Sequence, residues 1–350
     1  DRIAQSSSGV DIGPYDFFGY DVDIWSVPIN DSGGISVEFY GSPQNDDLGS
    51  NSGSLYSILS VGINNTGTAS KINAIDGSSG DNFGWSVSIN NINAYEVVVG
   101  APNDDDRGTD SGSAYVYEMT LGDSITFPLI SKLTAYDGAS TDRFGFDVGF
   151  SEDYIVIGAP NNDQRGSNAG AVYVFKRYSL ANEGSGWAFH QKLTSVDVTN
   201  GLGVSVSICD DVIVAGARFD DEKGENAGAA YIFHLNENGV WVQRSKLLAD
   251  DGVAGDNFGW SVDVFGGTII VGSPERNDGR GKTYIYSRST NRDQWVKTYS
   301  VHNDNGSAND NFGRSVSVSI LAVDLNGEID FDGYAIVSSI PEDDTPSYNS

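Results

Sequence analysis

One passage occurs twice in this chain, and that repetition limits what it can fold into more than any other feature. Residues 83–117 read FGWSVSI, YEVVVGAP, an acidic loop NDDDRGTDS, then GSAYVY; from Phe144 the chain reads FGFDVGF, YIVIGAP, NNDQRGSNA and GAVYVF. A fixed period of this size marks a modular architecture, in which each copy buries its apolar face against the next. Weaker copies start at Phe18, Leu202, Phe258 and Phe312, so the six starts are 65, 61, 58, 56 and 54 residues apart. Each copy holds four apolar segments of strand length, several alternating at period two. A four-stranded antiparallel meander in a repeat of roughly 45 to 60 residues is one propeller blade.

The expected fold is therefore all-β: a single β-propeller domain over residues 1–350, with six repeats and blades at about 18–75, 76–137, 138–197, 198–251, 252–305 and 306–350. The first copy takes 23 residues from Phe18 to Gly41, against 14 in three later copies, so residues around Pro28 to Gly34 are expected to be a loop insert. Residues 1–6 carry RIAQ, which fits the column of KINA from Lys71, KLTA from Lys132, KLTS from Lys192 and KLLA from Lys246. It is expected to be a fourth strand closing the last blade. The chain stops inside a motif: Asn349-Ser350 aligns with Asn51-Ser52 and Asp110-Ser111, each followed by Gly. The sixth blade is thus expected to be incomplete, with Gly as the next residue.

Composition agrees with many short strands and tight turns: 43 glycines, with Asn, Asp and Ser crowding the segments between apolar runs. The net charge of −29, from 49 acidic and 20 basic residues, argues against a nucleic-acid partner and an anionic membrane surface, because phosphate needs a basic footprint. No run of 18 apolar residues suggests membrane insertion. Cys209 is the sole cysteine, so no internal disulfide forms, and its strand VSVSICDDVIVAG makes it a small core residue. N-x-S/T sequons at Asn30, Asn64 and Asn305 fall in expected loops or inserts, which fits an extracellular glycoprotein.

The pairs Phe83-Gly84 with Gly100-Ala101-Pro102 and Phe144-Gly145 with Gly158-Ala159-Pro160, with their weaker copies, resemble the FG-GAP repeats of the integrin α-subunit β-propeller family. The resemblance covers nearly the whole chain and implies seven blades, against six visible starts. The residues also carry physical roles of their own. Glycine in FG and GAP permits close backbone approach or positive φ near a crowded axis. The Phe offers an apolar plug between neighbouring sheets. An aromatic recurs five residues before the end-strand lysine column, as Phe127, Trp187, Trp241 and Trp295, and is expected on the outer blade face.

Two sets of oxygen-bearing side chains could hold Ca²⁺. The loop between the second and third strands repeats in register: Asn45, Asp46, Asp47 and Asn51; Asp104, Asp105, Asp106 and Asp110; Asn162, Asp163, Gln164 and Asn168; Asp220, Asp221, Glu222 and Asn226. Such density suits Ca²⁺, but Asp and Asn also cap backbone groups in structured turns. Recurrence whatever the formal charge favours the turn; the copy with four Asp is the best metal candidate among the four. The sixth copy carries DLNGEIDFD from Asp324 to Asp332, with oxygen ligands at positions one, three, five and nine, a spacing that wraps a loop round one cation. It is similar to the integrin-type calcium loop. That resemblance implies Asp324, Asn326, Glu328 and Asp332 as ligands, with a main-chain carbonyl from Asp330. The family loop has Gly at position six where this chain has Ile329.

Catalysis leaves no trace in the sequence. His190, His234 and His302 occupy different places in their repeats, and none has a triad or zinc pattern around it. The reading is a non-enzymatic, extracellular or cell-surface module for adhesion, recognition or surface assembly. It would bind a protein or glycan partner, be stabilised by Ca²⁺, and make contact near the inserts at 27–35 and 321–333. The alternatives are a lectin-like sugar-binding propeller, marked by repeated aromatic-plus-carboxylate pockets, and a non-catalytic accessory domain of a secreted hydrolase.

Overall fold

The computed structural model describes residues 13, 15–30, 33–61, 68–90, 96–121, 125–180, 184–197, 200–289, 294–302, 306–320 and 334–338. The chain divides into two compact units, Asp1–Asn162 with Tyr173–His190, and Asp163–Val172 with Gln191–Ser350.

Five four-stranded antiparallel sheets follow one another along the chain, each a meander. The first is β1 (Val22–Asn30), β2 (Gly33–Ser42), β3 (Ser54–Val61) and β4 (Thr68–Ile72). The second is β5 (Val87–Asn90), β6 (Glu96–Ala101) and β7 (Ser113–Glu118). A small hairpin of β8 (Thr120–Leu121) and β9 (Ile125–Thr126) precedes its last strand, β10 (Leu129–Leu133). The third sheet is β11 (Val148–Ser151), β12 (Tyr154–Ala159), β13 (Ala171–Leu180) and β14 (Gly184–Leu193). The fourth is β15 (Leu202–Cys209), β16 (Val212–Ala217), β17 (Ala229–Leu235) and β18 (Trp241–Leu247). The fifth is β19 (Val262–Phe265), β20 (Thr268–Ser273), β21 (Lys282–Arg288) and β22 (Trp295–Val301), with a tight turn α1 (Arg276–Gly279), left-handed at Asn277 and Asp278, between β20 and β21. A two-stranded ladder pairs β23 (Val316–Ile320) with β24 (Tyr334–Ser338).

The strand pattern follows from what covers each face. The second strands β6, β16 and β20 are buried at every residue and are built on apolar runs, VVVGA, VIVAGA and IIVG. The last strands β18 and β22 are buried at few positions and carry polar residues between them, WVQRSKL and WVKTYSV. A strand enclosed on both faces tolerates no polar alternation, whereas one with a wet face requires it.

Two glycine columns set how closely successive sheets pack. A Cβ on Gly41 would meet the Gly84 carbonyl oxygen at 2.0 Å, and one on Gly216 would meet that of Gly259 at 2.0 Å. The FG glycines Gly84, Gly145, Gly259 and Gly313 have φ of 87° to 90°. The expectation of close approach thus holds in both columns, and positive φ in the FG column. The FG phenylalanine is the expected plug. Phe83 is fully buried between side chains of the first sheet, Val37, Phe39 and Leu55, and those of the second, Tyr115 and Tyr117. Phe258 does the same between the fourth and fifth sheets. Burying such a ring contributes about 2–3 kcal/mol.

Two expectations are corrected. The first-copy insert is no loop: β1 and β2 continue their ladder through Val27↔Ile35 and Pro28↔Gly34 to Asn30↔Gly33. The register shifts between Pro28 and Asn30, an irregularity of the kind at which a strand accommodates proline. The sequon asparagine Asn30 therefore ends a strand. The recurrent aromatics are not outward rings. Trp187, Trp241 and Trp295 are buried, and Phe127 meets Phe39 of the first sheet edge-on at 5.5 Å. Phe127 and Trp295 meet Phe39 and His234 of the preceding sheet, and Trp187 packs on Phe150 and Arg177 of its own. The expected closing strand at 1–6 and the sequons at Asn64 and Asn305 lie outside the described residues.

Candidate recognition surface

The residue directly after each FG glycine reads Tyr20, Trp85, Phe146, Val204, Trp260 and Arg314 down the repeats. It leaves a positive-φ turn, so its side chain is carried out of the sheet rather than into it. In the unit containing residues 1–162 the first three form a ladder. Tyr20 and Trp85 have ring centroids 4.7 Å apart, and Trp85 and Phe146 lie 5.5 Å apart, with tilted rings. Tyr20 keeps 47% of its surface exposed, and Trp85 and Phe146 are half-buried. Three large rings left in contact with water and with one another, while Phe83 and Phe144 two positions before Trp85 and Phe146 are buried, form an apolar strip suited to a partner. In the other unit the same column is Val204, which is buried, then Trp260 and Arg314. The Arg314 guanidinium lies 5.0 Å from the Trp260 ring centre and that of Arg218 lies 4.1 Å from it.

The acidic loops turn inward on themselves. In the second copy, Asp104 is buried and accepts from the Asp106 amide and Ser113 Oγ, both at 3.0 Å, and from the Tyr115 hydroxyl at 2.8 Å. Asp105 accepts the Asp110 amide at 2.8 Å. Lys132 Nζ lies 2.7 Å from Asp106, 2.7 Å from Asp76 and 3.1 Å from Asp104. Asp110 has φ of 52°, as Asn51, Asn168 and Asn226 do at 51° to 53° in the other copies, and Asp and Asn are the residues that tolerate that turn. Burial works against the Lys132 charge, but hydrogen bonds to Asp106, Asp76 and Asp104 outweigh it and raise the ammonium above its ordinary range. Burial, then the Asp104 carboxylate, holds the Tyr115 hydroxyl protonated far above its ordinary range, so it stays a donor.

The fourth copy repeats this cage with Asp220, Tyr231 and Lys246: the hydroxyl is 2.9 Å and the ammonium 2.9 Å from the carboxylate. Where the copy has Asn instead, the amide donates. Asn45 reaches Asp16 at 3.0 Å, and Asn162 reaches Asp142 at 2.9 Å. Asp104, Asp105, Asp106 and Asp110 are thus brought into one turn, with Lys132 against Asp104 and Asp106. Among the described residues no three His, Cys, Asp or Glu side chains are arranged to hold a metal ion. The other calcium candidates, Asp324, Asn326, Glu328, Asp330 and Asp332, lie outside the described residues.

Buried charges join sheets elsewhere. Glu96 at the start of β6, 2% exposed, takes both arms of Arg177 from β13, with Nη1 to Oε1 at 3.0 Å, and the guanidinium lies 4.5 Å from the Trp187 ring centre. Arg288 of β21 grips Asp211 at 2.8 Å through both arms and lies beside His234, which accepts the Trp295 indole N–H at 3.3 Å. The first strands are joined by carboxylates: Asp21 accepts the Val87 amide at 2.7 Å, and Asp263 accepts that of Val318 at 2.8 Å.

None of the aromatic ladder, the strand-three tyrosines or these arginine pairs emerges from motif reading. Each was nonetheless present as a column: the residue after FG, the Tyr two residues after the strand-three glycine-led pair, and the Arg four residues beyond it in the third and fifth copies. Column reading across copies, rather than motif spacing, is the signal that finds them.

Meandering four-stranded sheets locked by paired glycines and an FG plug define a propeller-type repeat protein. The FG-GAP repeat model matches residues 67–117, 128–175, 187–233 and 241–286, more than half of the chain, and the chain belongs to the FG-GAP repeat family, with an integrin α-like propeller. Among curated proteins it is similar to Integrin alpha-6 of Gallus gallus, 29% identical over 171 residues that cover 45% of this chain and 15% of that protein. It is also similar to Integrin alpha-7 of Homo sapiens, 29% identical over 215 residues, 57% of this chain and 16% of that protein. The chain spans about a sixth of the length of these curated relatives. Among solved structures, Saccharomyces cerevisiae Sqt1 matches 87% of this chain and 65% of that chain at 12% identity and a TM-score of 0.47, too distant to define the fold further. Among the described residues no helix is long and apolar enough to cross a membrane.

Proposed function

We propose that this chain is a non-catalytic recognition module that binds a protein partner in adhesion or surface assembly, outside the cell. The observation that carries the reading is the Tyr20–Trp85–Phe146 ladder, three aromatic rings in mutual contact and still open to water. Aromatic side chains bring large contact area at low entropic cost, and they dominate the energetics of protein interfaces. Membership of the FG-GAP family and similarity to integrin α subunits support the same reading. A sugar-binding propeller finds less support, because Trp187, Trp241 and Trp295, the rings that would have lined repeated pockets, are buried. The test is attachment of the source organism's cells or matrix to the immobilised protein. Trp85→Ala and Tyr20→Ala are expected to lower attachment at least tenfold with an unchanged circular dichroism spectrum. Attachment equal to that of the parent protein would overturn the reading.

We further read Asp324, Asn326, Glu328 and Asp332, with the carbonyl of Asp330, as a Ca²⁺ loop. Its support is the spacing of oxygen-bearing side chains in the sequence.

A further inference from the structure

We propose that the hollow beside turn α1 binds a small organic dication, a linear diamine or polyamine carrying ammonium groups on an aliphatic chain. It would do so whether or not the aromatic ladder binds a protein. The hollow lies where the repeat departs from its own pattern. Six residues, 275–280, join Pro274 to Gly281, against nine at the same place in each of the first four copies, 44–52, 103–111, 161–169 and 219–227. The short loop turns back at once through Asn277 and Asp278, with φ of 55° and 61°, and does not fill the space beside it. Residues 253–256, 275, 277–279 and 308–309 line a hollow of about 610 Å³, within the range of about 300–1,000 Å³ that small-ligand sites occupy.

The lining is negative. Asp256 is buried and already neutralised by the Arg276 guanidinium at 2.6 Å. Glu275 and Asp278 are exposed and, among the described residues, meet no cation. Other carboxylates of this chain are met by lysine: Lys132 serves Asp104 and Asp106, and Lys282 serves Asp251. Two uncompensated carboxylates call for two positive charges. Among the described residues they do not converge with a third acidic or histidine side chain as a metal ion requires. Charges held apart along a flexible chain suit such a pair better than one compact ion. Val253, Ala254 and Ala308 give the methylenes an apolar wall. Asn277 and Asn309 add amide oxygens that accept from ammonium N–H. Gly279 lets the two loops meet behind the hollow, since a Cβ there would stand 3.0 Å from the Asn309 backbone.

The overall charge favours the same ligand. At −29 the molecule draws small cations toward its surface and repels anions. A lysine side chain of a protein partner brings one ammonium and leaves one of the two carboxylates unpaired. A free diamine enters whole and supplies both charges.

The experiment is calorimetric titration of the whole chain with diaminobutane at about 0.15 M salt, where charges beyond about 8 Å are screened. Saturable uptake of one equivalent is expected, with butylamine and N-acetyl-lysine amide at least tenfold weaker. Glu275→Gln and Asp278→Asn should each weaken uptake at least fivefold. Ala308→Phe, which fills the hollow without changing its charge, should abolish it. Glu237→Gln removes a charge from the exposed hairpin tip between β17 and β18 and should leave uptake unchanged. Glu275 and Asp278 are exposed, so their variants keep the test open should Ala308→Phe fail to fold. Equal uptake of monoamine and diamine, a loss in Glu237→Gln as large as in Glu275→Gln, or uptake indifferent to a folded Ala308→Phe would each overturn the proposal. N-acetyl-lysine amide binding as tightly as the diamine would give the hollow to a partner's lysine and overturn it as well.

Discussion

Gly100 of β6 faces the carbonyl oxygen of Gly145 so closely that a Cβ on Gly100 would sit 2.1 Å from it. No real Cβ contact is that short, and the obstacle is backbone, which cannot swing aside. Gly100→Ala is expected to destabilise the unit by roughly 3 kcal/mol or more, by forcing two sheets apart. Gly239→Ala has open space around it and only a φ of 72° to resist, so it is expected to cost about 1–2 kcal/mol. Denaturant midpoints of the two variants, measured side by side, check the difference; equal losses would mean that close approach is not what the glycine provides.

The Glu96–Arg177 pair is expected to behave as a buried ion pair. Arg177→Met leaves Glu96, 2% exposed, without its partner and should destabilise by about 3–5 kcal/mol. Glu96→Leu combined with Arg177→Met removes both charges and should recover most of that loss. A double-mutant cycle from urea unfolding gives the coupling, and a double variant no more stable than Arg177→Met would contradict the assignment.

Acid sensitivity has two opposing sources. Burial pushes the Asp251 carboxyl up, but hydrogen bonds from Lys282 and Tyr284 outweigh it and hold it down at about 2. A depressed carboxyl contributes stability that is complete above its unfolded value near 4 and is lost as pH falls from about 4 to about 2. Asp21 and Asp263 are pushed up, chiefly by burial. Their contribution runs the other way: favourable at low pH, and eroded as pH rises above about 4. Asp251→Asn is expected to flatten the stability profile between pH 4 and 2, and Asp263→Asn to flatten it above pH 4. Thermal melts across that range measure both slopes, and profiles parallel to the parent's would refute the assignments.

Calcium removal tests the loop at residues 324–332. Calorimetry is expected to show uptake of Ca²⁺ at millimolar concentration or below, abolished by Asp324→Asn with Glu328→Gln and unaffected by Asp105→Asn. Heat from Ca²⁺ that disappears in Asp105→Asn instead would move the site to the acidic turn of the second copy.

Much of the fold was legible because its determinants are local. The alternation in β18, the continuous apolar run of β6, the FG and GAP glycines and the tight turn at Glu152, with φ of 45°, are each set within a few residues. The acidic turn was half legible. Its composition suggests a metal, and only the position of Lys132, reached from the far end of the copy, shows how Asp104 and Asp106 are neutralised. The hairpin at 27–35 was misread because Pro28 and the glycines at 33 and 34 look like loop residues. The ladder tolerates them at its tip, where a proline lacks only one donor.

By itself the sequence determined that this protein is a series of like four-stranded sheets, because period, strand pattern and glycine columns act over short stretches of chain. Tertiary structure alone decided which aromatic columns face water. Trp187, Trp241 and Trp295 are buried, while Tyr20, Trp85 and Phe146 remain open to solvent. All six rings read alike in a linear pattern. The difference lies in what covers them, and for rings such as Phe127 and Trp295 the cover comes from the preceding sheet, supplied by chain dozens of residues away.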